Sequence, residues 1–280
     1  MLRQRILTAL VLMALLLPTL FLHDPLPFAL LALAFCTVAM GEWVRLAGYR
    51  RWSVLVAWSF AWVGVAGVLL WLLWQQAWFM SPDWVWFWAA CSAAWLLLLG
   101  LSLPSARVPA GLRHPVVLSF MGFLLLLAAW LALVELRVQG AVFLLSLLAL
   151  VWAADIAAYF GGRAWGRSKL APSISPGKTR AGAWTALAAT LLYATLCVGL
   201  SPRLPNYFSQ IQIHLGWIGL LLIVVALLAF AIAGDLFESL LKRAAGVKDS
   251  GKLLPGHGGV LDRIDALLPV LPLALLLLAL

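Results

Sequence analysis

The sequence predicts an all-α fold: a polytopic membrane bundle of about nine transmembrane helices with its N-terminus in the cytoplasm. Three observations carry this. Hydrophobic residues make up 65% of the 280-residue chain and charged residues only 10%, more apolar side chain than a soluble domain of that size can hide. The apolar residues fall in successive runs of about 15–22, near the roughly 20 that cross a bilayer as helix. Seventeen of the nineteen basic residues lie in the N-terminal segment and in alternate loops, as the positive-inside rule requires of cytoplasmic segments. Helices are preferred because they satisfy their own backbone hydrogen bonds in lipid.

The runs lie at 6–22, 26–44, 53–74, 84–100, 115–134, 141–160, 182–200, 214–234 and 266–280. Arg3 and Arg5 before the first give it the look of a secretory signal. No small-x-small cleavage pattern closes it and eight runs follow, so it reads as an uncleaved helix. Near the end of the second, Glu42 and Arg45 stand one helical turn apart and read as an interfacial ion pair. The sixteen tryptophans gather toward span ends, as at Trp84, Trp86 and Trp88, where amphipathic rings suit the headgroup layer. Cys36, Cys91 and Cys197 sit inside apolar runs without metal spacing and read as small buried hydrophobes. The net charge of +9 is mainly a positioning device, able also to attract anionic lipid headgroups or a polyphosphate; nucleic acid is not an expected partner.

The chain reads as one membrane domain, 1–280, with no linker or repeat. Residues 1–134 form scaffold spans, and 135–280 a catalytic half with cytoplasmic loops at 161–181 and 235–265. Asp155 lies inside the sixth run, where an acid demands a partner or a wet cavity, and Tyr159 follows one turn later. Lys169–Thr179, with Pro172, Ser173, Ser175, Pro176 and Gly177, reads as a rigid non-helical turn able to cradle phosphate. Its Gly177-Lys178-Thr179 triplet is not a P-loop, because Pro172 stands where that motif needs glycine.

The polar island from Asp235 to Asp265 holds five of the ten acidic residues. Asp235, Glu238, Ser239 and Lys242 recur at helical spacing, so a helix leaving the eighth span aligns them on one face. Gly246 is a plausible stop. Pro255-Gly-His-Gly-Gly259 permits close backbone approach to a ligand. Asp262 and Asp265, three apart, then open the ninth helix. Carboxylates converging from two helix ends make a hard-oxygen site suited to Mg²⁺, and Lys242, Arg243, Lys248 and Lys252 supply the opposite charge for phosphoryl oxygens.

The island resembles the signature of the phosphatidate cytidylyltransferases. Its Ser239-x-aliphatic-Lys242-Arg243, Lys248-Asp249 and Pro255-x-His257-Gly258-Gly259-x-x-Asp262-Arg263-x-Asp265 meet every fixed position. Gly234-Asp235, Asp155-x-x-Ala158-Tyr159-x-x-Gly162 and the Lys169–Thr179 loop are also similar. The likeness is strong over residues 150–270 and rests on span pattern before that. Arg180-Ala181 departs from the family's pattern, and no role is assigned there.

The resemblance implies reaction of CTP with phosphatidate to give CDP-diacylglycerol and pyrophosphate at a cell inner membrane, by a homodimer. On this reading Asp235, Asp262 and Asp265, with Asp249 as a weaker ligand, hold Mg²⁺, and a second monovalent or divalent cation is allowed. Lys178, Lys242, Arg243 and Lys248 contact phosphates, with Ser175, Arg263 and the Gly258–Gly259 backbone as further candidates. His257 hydrogen-bonds a phosphate or bridges to a carboxylate, and Asp155 and Tyr159 line the cavity. Two acyl tails cannot leave the bilayer when each exposed CH₂ costs about 0.8 kcal/mol, so the site must open both to lipid and to cytosol. A transporter is disfavoured because the polar residues gather on one face. A CTP-dependent lipid kinase, or a synthase using another lipid phosphate, is the nearer alternative. A CDP-alcohol transferase would need an aspartate arrangement this chain lacks.

Overall fold

The computed structural model describes residues 2–76, 84–256 and 258–279. In chain order α1 spans Leu2–Phe21, α2 Leu26–Leu46, α3 Trp52–Gln76, α4 Trp84–Ser102, α5 Pro115–Gln139, α6 Ala141–Trp165, α7 Arg180–Leu200, α8 Tyr207–Ala244, α9 Leu261–Ile264 and α10 Leu267–Leu278. Each predicted apolar run is a helix. Among the described residues seven of them, α2 to α8, are long and apolar enough to cross a membrane.

The two terminal runs differ from that pattern. α1 stands at the edge of the bundle, with Leu7, Leu10, Val11 and Met13 exposed. α10 has 12 residues, a rise of about 18 Å, which falls short of a hydrocarbon core of roughly 30 Å. Its residues Leu267 to Leu275 are all buried against α4, α5 and α8. The ninth predicted span is therefore a short helix at the centre of the bundle. Aliphatic composition reads alike in lipid and in a protein core, so sequence could not separate the two.

The ends of the bundle sort as the charges predict. The Thr8 hydroxyl donates to the Pro255 carbonyl at 3.1 Å, which brings the start of α1 to the island. Arg137, at the far end of α5, donates to the Leu22 carbonyl at the far end of α1. The connections α2–α3, α4–α5, α6–α7 and α8–α9 share the island's end, since Arg45, Arg107, Ser173 and Lys248 line one cavity there.

Tryptophan does more than anchor. Trp52, Trp86, Trp165 and Trp184 are exposed near helix ends, as a headgroup belt requires, but Trp43, Trp62, Trp88, Trp95 and Trp130 are among the largest buried side chains. Their rings fill gaps between helices, and a buried indole N–H needs an acceptor. Trp43 donates to the Leu118 carbonyl at 2.8 Å and Trp130 to the Ala29 carbonyl at 3.0 Å.

The Lys169–Thr179 segment is a small antiparallel hairpin. β1 (Lys169–Ala171) pairs with β2 (Ser175–Thr179), Lys169 opposite Thr179. The predicted irregular turn is thus partly strand. Pro172 starts the reversal, and buried Ile174 pins its tip to the bundle.

Candidate active site

α8 runs on past its membrane-spanning part to Ala244, so Asp235, Glu238, Ser239 and Lys242 do share a face. The Ser239 hydroxyl lies 3.5 Å from Asp235 Oδ1, and Lys242 is ion-paired with Glu238 one turn back. The helix stops where predicted. Gly246 takes φ +71°, its N–H reaches the Arg243 carbonyl and the Val247 N–H reaches that of Lys242, the hydrogen bonds of a glycine-terminated helix.

Two polar centres are built on this helix. In the first, Lys178 at the end of β2 lies 2.5 Å from Asp235 Oδ2. Asp155, from α6, is within electrostatic range of Asp235, Lys178 and Arg263. Asp265 joins from the α9–α10 junction. Gly234 lets α8 close on that junction, for a Cβ there would stand 2.8 Å from the Asp265 carbonyl oxygen. Burial first, and the Asp235 carboxylate second, push the Asp265 carboxyl up to about 8. Beside them lies a groove of about 430 Å³ lined by Asp155, Tyr159, Lys178 and Asp235 and walled by apolar residues of α6, α7 and α8, among them Ala186, Leu228 and Ile232.

Small residues make that groove possible. A Cβ on Gly161 would come within 2.0 Å of Thr185 Oγ1, and one on Gly182 within 2.7 Å of the Ala158 carbonyl. α6 and α7 therefore meet backbone to backbone, as small residues allow in membranes. Thr179 caps α7 by accepting from the Gly182 N–H at 3.1 Å. That cap fixes the neighbouring Lys178.

The second centre lies two turns further along α8, about 10 Å in helix rise. Asp262 Oδ1 sits 2.6 Å from Lys242 Nζ. Its Oδ2 accepts from the Ser250 N–H at 3.0 Å, the Ser250 hydroxyl at 3.0 Å and the Gly259 N–H at 2.8 Å. Burial opposes charge on Asp262, yet the Lys242 ammonium with the Gly259 and Ser250 donors outweighs it and holds the carboxyl below its ordinary range. Behind this knot is Glu42, which accepts from the Ser250 hydroxyl at 3.1 Å, the Val260 N–H at 3.2 Å and the Leu261 N–H at 2.8 Å. A Cβ on Gly251 or Gly259 would collide with Glu42, at 2.0 and 2.5 Å.

Glu42 is thus a clamp on the island. The expected pairing with Arg45 is replaced by this role, because main-chain donors at hydrogen-bond distance satisfy a buried carboxylate without a mobile partner. Sequence reasoning missed it; the available signal was an acid near the end of an apolar span, which always calls for partners.

The structure brings Asp155, Tyr159, Lys178 and Asp235 to one groove, with Asp265 and Arg263 in electrostatic reach. It separates Asp262, which is committed to Lys242 and the main chain. Lys242, expected at phosphate, is flanked by two carboxylates. Arg243, Lys248 and Asp249 line a different, basic cavity. Ser175 borders neither cavity and pairs with Ala171 in the hairpin. Gly258 and Gly259 shape the turn around Asp262. His257 lies outside the described residues.

Among the described residues no three His, Cys, Asp or Glu side chains are arranged to hold a metal ion. The expected set of Asp235, Asp262 and Asp265 with Asp249 is therefore not assembled. Mg²⁺ keeps several waters and takes substrate phosphates beside one or two carboxylates. The Asp235–Asp265 pair fits that requirement, being two hard-oxygen donors whose mutual repulsion a cation relieves.

A helical membrane bundle with buried carboxylates and a lysine at one interface is a class suited to handling charged groups beside lipid. The sequence model of the cytidylyltransferase family matches residues 3–280, and the chain belongs to that family. It is 41% identical over 285 residues to the phosphatidate cytidylyltransferase of Pseudomonas aeruginosa, covering 97% of this chain and 95% of that protein. The enzyme of the same name from Haemophilus influenzae is 35% identical, covering 97% and 96%. That from Bacillus subtilis is 34% identical, covering 99% and 98%.

Proposed function

We propose that the chain transfers the cytidylyl group of CTP to phosphatidate, forming CDP-diacylglycerol and pyrophosphate, at the cytoplasmic face of a bacterial cell membrane. The observation that carries this reading is the groove itself: Lys178 and Asp235 sit at the polar end of a wall formed by helices that span the membrane. A lipid phosphate can enter sideways between α6, α7 and α8 while its tails stay among apolar residues. The attacking phosphate oxygen is already anionic, so no strong general base is needed, and the barrier lies in bringing two polyanions together.

Lys178 exchanges its contact with Asp235 for a phosphate oxygen and holds it by charge. Asp235 and Asp265 would hold Mg²⁺, which when bound offsets charge on the triphosphate and on the leaving pyrophosphate. Asp155 attracts Lys178, which lines the groove with it, and Arg263 nearby. The Asp262–Lys242 knot and Glu42 fix the turn beside the site and so exclude loose water. The homodimer implied by the family resemblance belongs to the same proposal.

Purified protein incubated with CTP labelled on the cytidine, Mg²⁺ and phosphatidate should yield labelled lipid, and EDTA should stop it. Label reaching lipid only from the γ-phosphate would identify a lipid kinase instead.

A further inference from the structure

A second cleft, of about 570 Å³, lies between α2 and α3 and is closed at the island's end by Gly251, Lys252 and Leu253. Arg45 stands in the last turn of α2 and Trp52 opens α3, so this end of the cleft is at headgroup level. Thr37, the lining residue farthest from Arg45 along α2, is eight residues back, about 12 Å of helix rise into the apolar layer. There the Thr37 hydroxyl is taken up by the Leu33 carbonyl at 2.7 Å, and Val38, Val56 and Phe60 complete an apolar wall. Trp52, Phe60 and Leu253 are exposed although large and apolar. Leu253 belongs to the polar island, and leaving such a side chain in water forgoes about 1.5–3 kcal/mol.

We propose that this cleft binds an anionic phosphodiester lipid, with one acyl chain between α2 and α3 and its phosphate between Arg45 and Lys252. Both cations are exposed, and among the described residues neither is in an ion pair. They stand on a ridge, for they also border the basic cavity on its other side. Among the described residues Glu42 is the one carboxylate in the lining of the cleft. Two cations against one carboxylate leave a single positive charge, which matches the single negative charge of a phosphodiester. A phosphomonoester such as phosphatidate carries more, because its second ionisation lies near pH 6. The charge balance therefore selects a lipid other than the substrate. The positive-inside rule accounts for cations at this level, but not for an open apolar cleft directly beneath two of them. Helix pairs in lipid otherwise associate by close van der Waals packing. The cleft also backs onto the island's clamp. A Cβ on Gly251 would collide with Glu42, and Glu42 holds the Val260 and Leu261 N–H groups. A lipid packed here supports that clamp and so stabilises the turn that carries Asp262.

Phosphatidylglycerol with a photoreactive diazirine in one acyl chain would be irradiated with the whole protein in uncharged detergent, and the adducts located by peptide mass spectrometry. Labelling should saturate and fall on the cleft-lining residues of α2 and α3. Unlabelled phosphatidylglycerol should compete about tenfold better than phosphatidylcholine, and should raise the melting temperature of the parent. Arg45→Gln/Lys252→Gln should weaken labelling about tenfold and remove the rise in melting temperature. Arg107→Gln/Arg167→Gln, which takes the same charge from exposed positions elsewhere at this end, should do neither. Val56→Trp, which fills the cleft without altering charge, should abolish labelling; if that variant does not fold, the two charge variants decide. Neither CTP nor turnover enters the experiment, so its outcome is independent of the proposed reaction. The proposal fails if adducts spread evenly over the lipid-facing helices, if phosphatidylcholine competes equally, or if the two charge variants label alike. It fails too if phosphatidate competes best and Lys178→Ala abolishes labelling, since the cleft would then be a branch of the reaction groove.

Discussion

At Glu42 one carboxylate from the scaffold half holds the main chain of the island more than two hundred residues away. Replacing it by Ala leaves the Val260 and Leu261 N–H groups without their acceptor in a buried place and the Ser250 hydroxyl with Asp262 alone, a loss of about 3 kcal/mol. Glu42→Ala should lower the melting temperature in detergent and reduce CDP-diacylglycerol formation together, while Glu42→Gln, which keeps one acceptor oxygen, should fall between. Unchanged stability in the Ala variant would show that the clamp is not needed. The two aspartate centres should separate under the same pair of measurements. Asp235 and Lys178 are both partly exposed at the groove, so Asp235→Asn should cost about a hundredfold in rate with little change in melting temperature. Asp262→Asn removes one of two carboxylates from half-buried Lys242 and an acceptor from Ser250 and Gly259, so it should lose about 2 kcal/mol of stability as well as activity. If the two variants give the same profile, the division into a reactive and a structural aspartate is wrong.

At the level of elements, the α6–α7 contact sets the width of the groove. A methyl group at Gly161 meets the Thr185 side chain at 2.0 Å, and overpacking of this kind costs about 1–3 kcal/mol. Gly161→Ala should therefore lower the melting temperature and alter KM for phosphatidate more than KM for CTP. Adding Thr185→Gly removes every side-chain atom in the way and should restore part of both, less about 1 kcal/mol for a glycine within a helix; absence of any recovery would mean that this crossing does not shape the site. Much of this architecture was legible in the residues. Apolar run length located every helix but the short α9, helical spacing aligned Asp235 with Lys242, and Gly246 marked the end of α8. What escaped was whatever depends on distant contacts. No local pattern says that Glu42 meets Val260, that Asp262 turns to Lys242, or that the run at 266–280 packs inside the bundle. The hairpin escaped for a different reason: five residues of strand rich in Pro, Gly and Ser carry no alternation to read.

For the molecule as a whole, function depends on which side of the membrane the polar end faces. Its helices alternate so that the N-terminal arginines, the α2–α3 and α4–α5 connections, the hairpin and the island share one end, and seventeen of nineteen basic residues lie in or beside those segments. Arg137 and Arg203 remain for the opposite end. Positive charge in short loops orients a membrane protein toward the cytosol, and CTP is a cytosolic solute too highly charged to cross lipid, so the two requirements select the same orientation. Thiol labelling tests this directly. Cys36 and Cys197 are buried and Cys91 is half-buried, so a variant without them should still fold and provide a clean background. Ser173→Cys, exposed at the hairpin tip, and Arg203→Cys, exposed between α7 and α8, then mark the two ends. A membrane-impermeant maleimide should label Ser173→Cys in inverted vesicles but not in intact spheroplasts, with Arg203→Cys giving the reverse. The opposite pattern would place the groove on the side where no CTP is found, and the proposed reaction could not occur there.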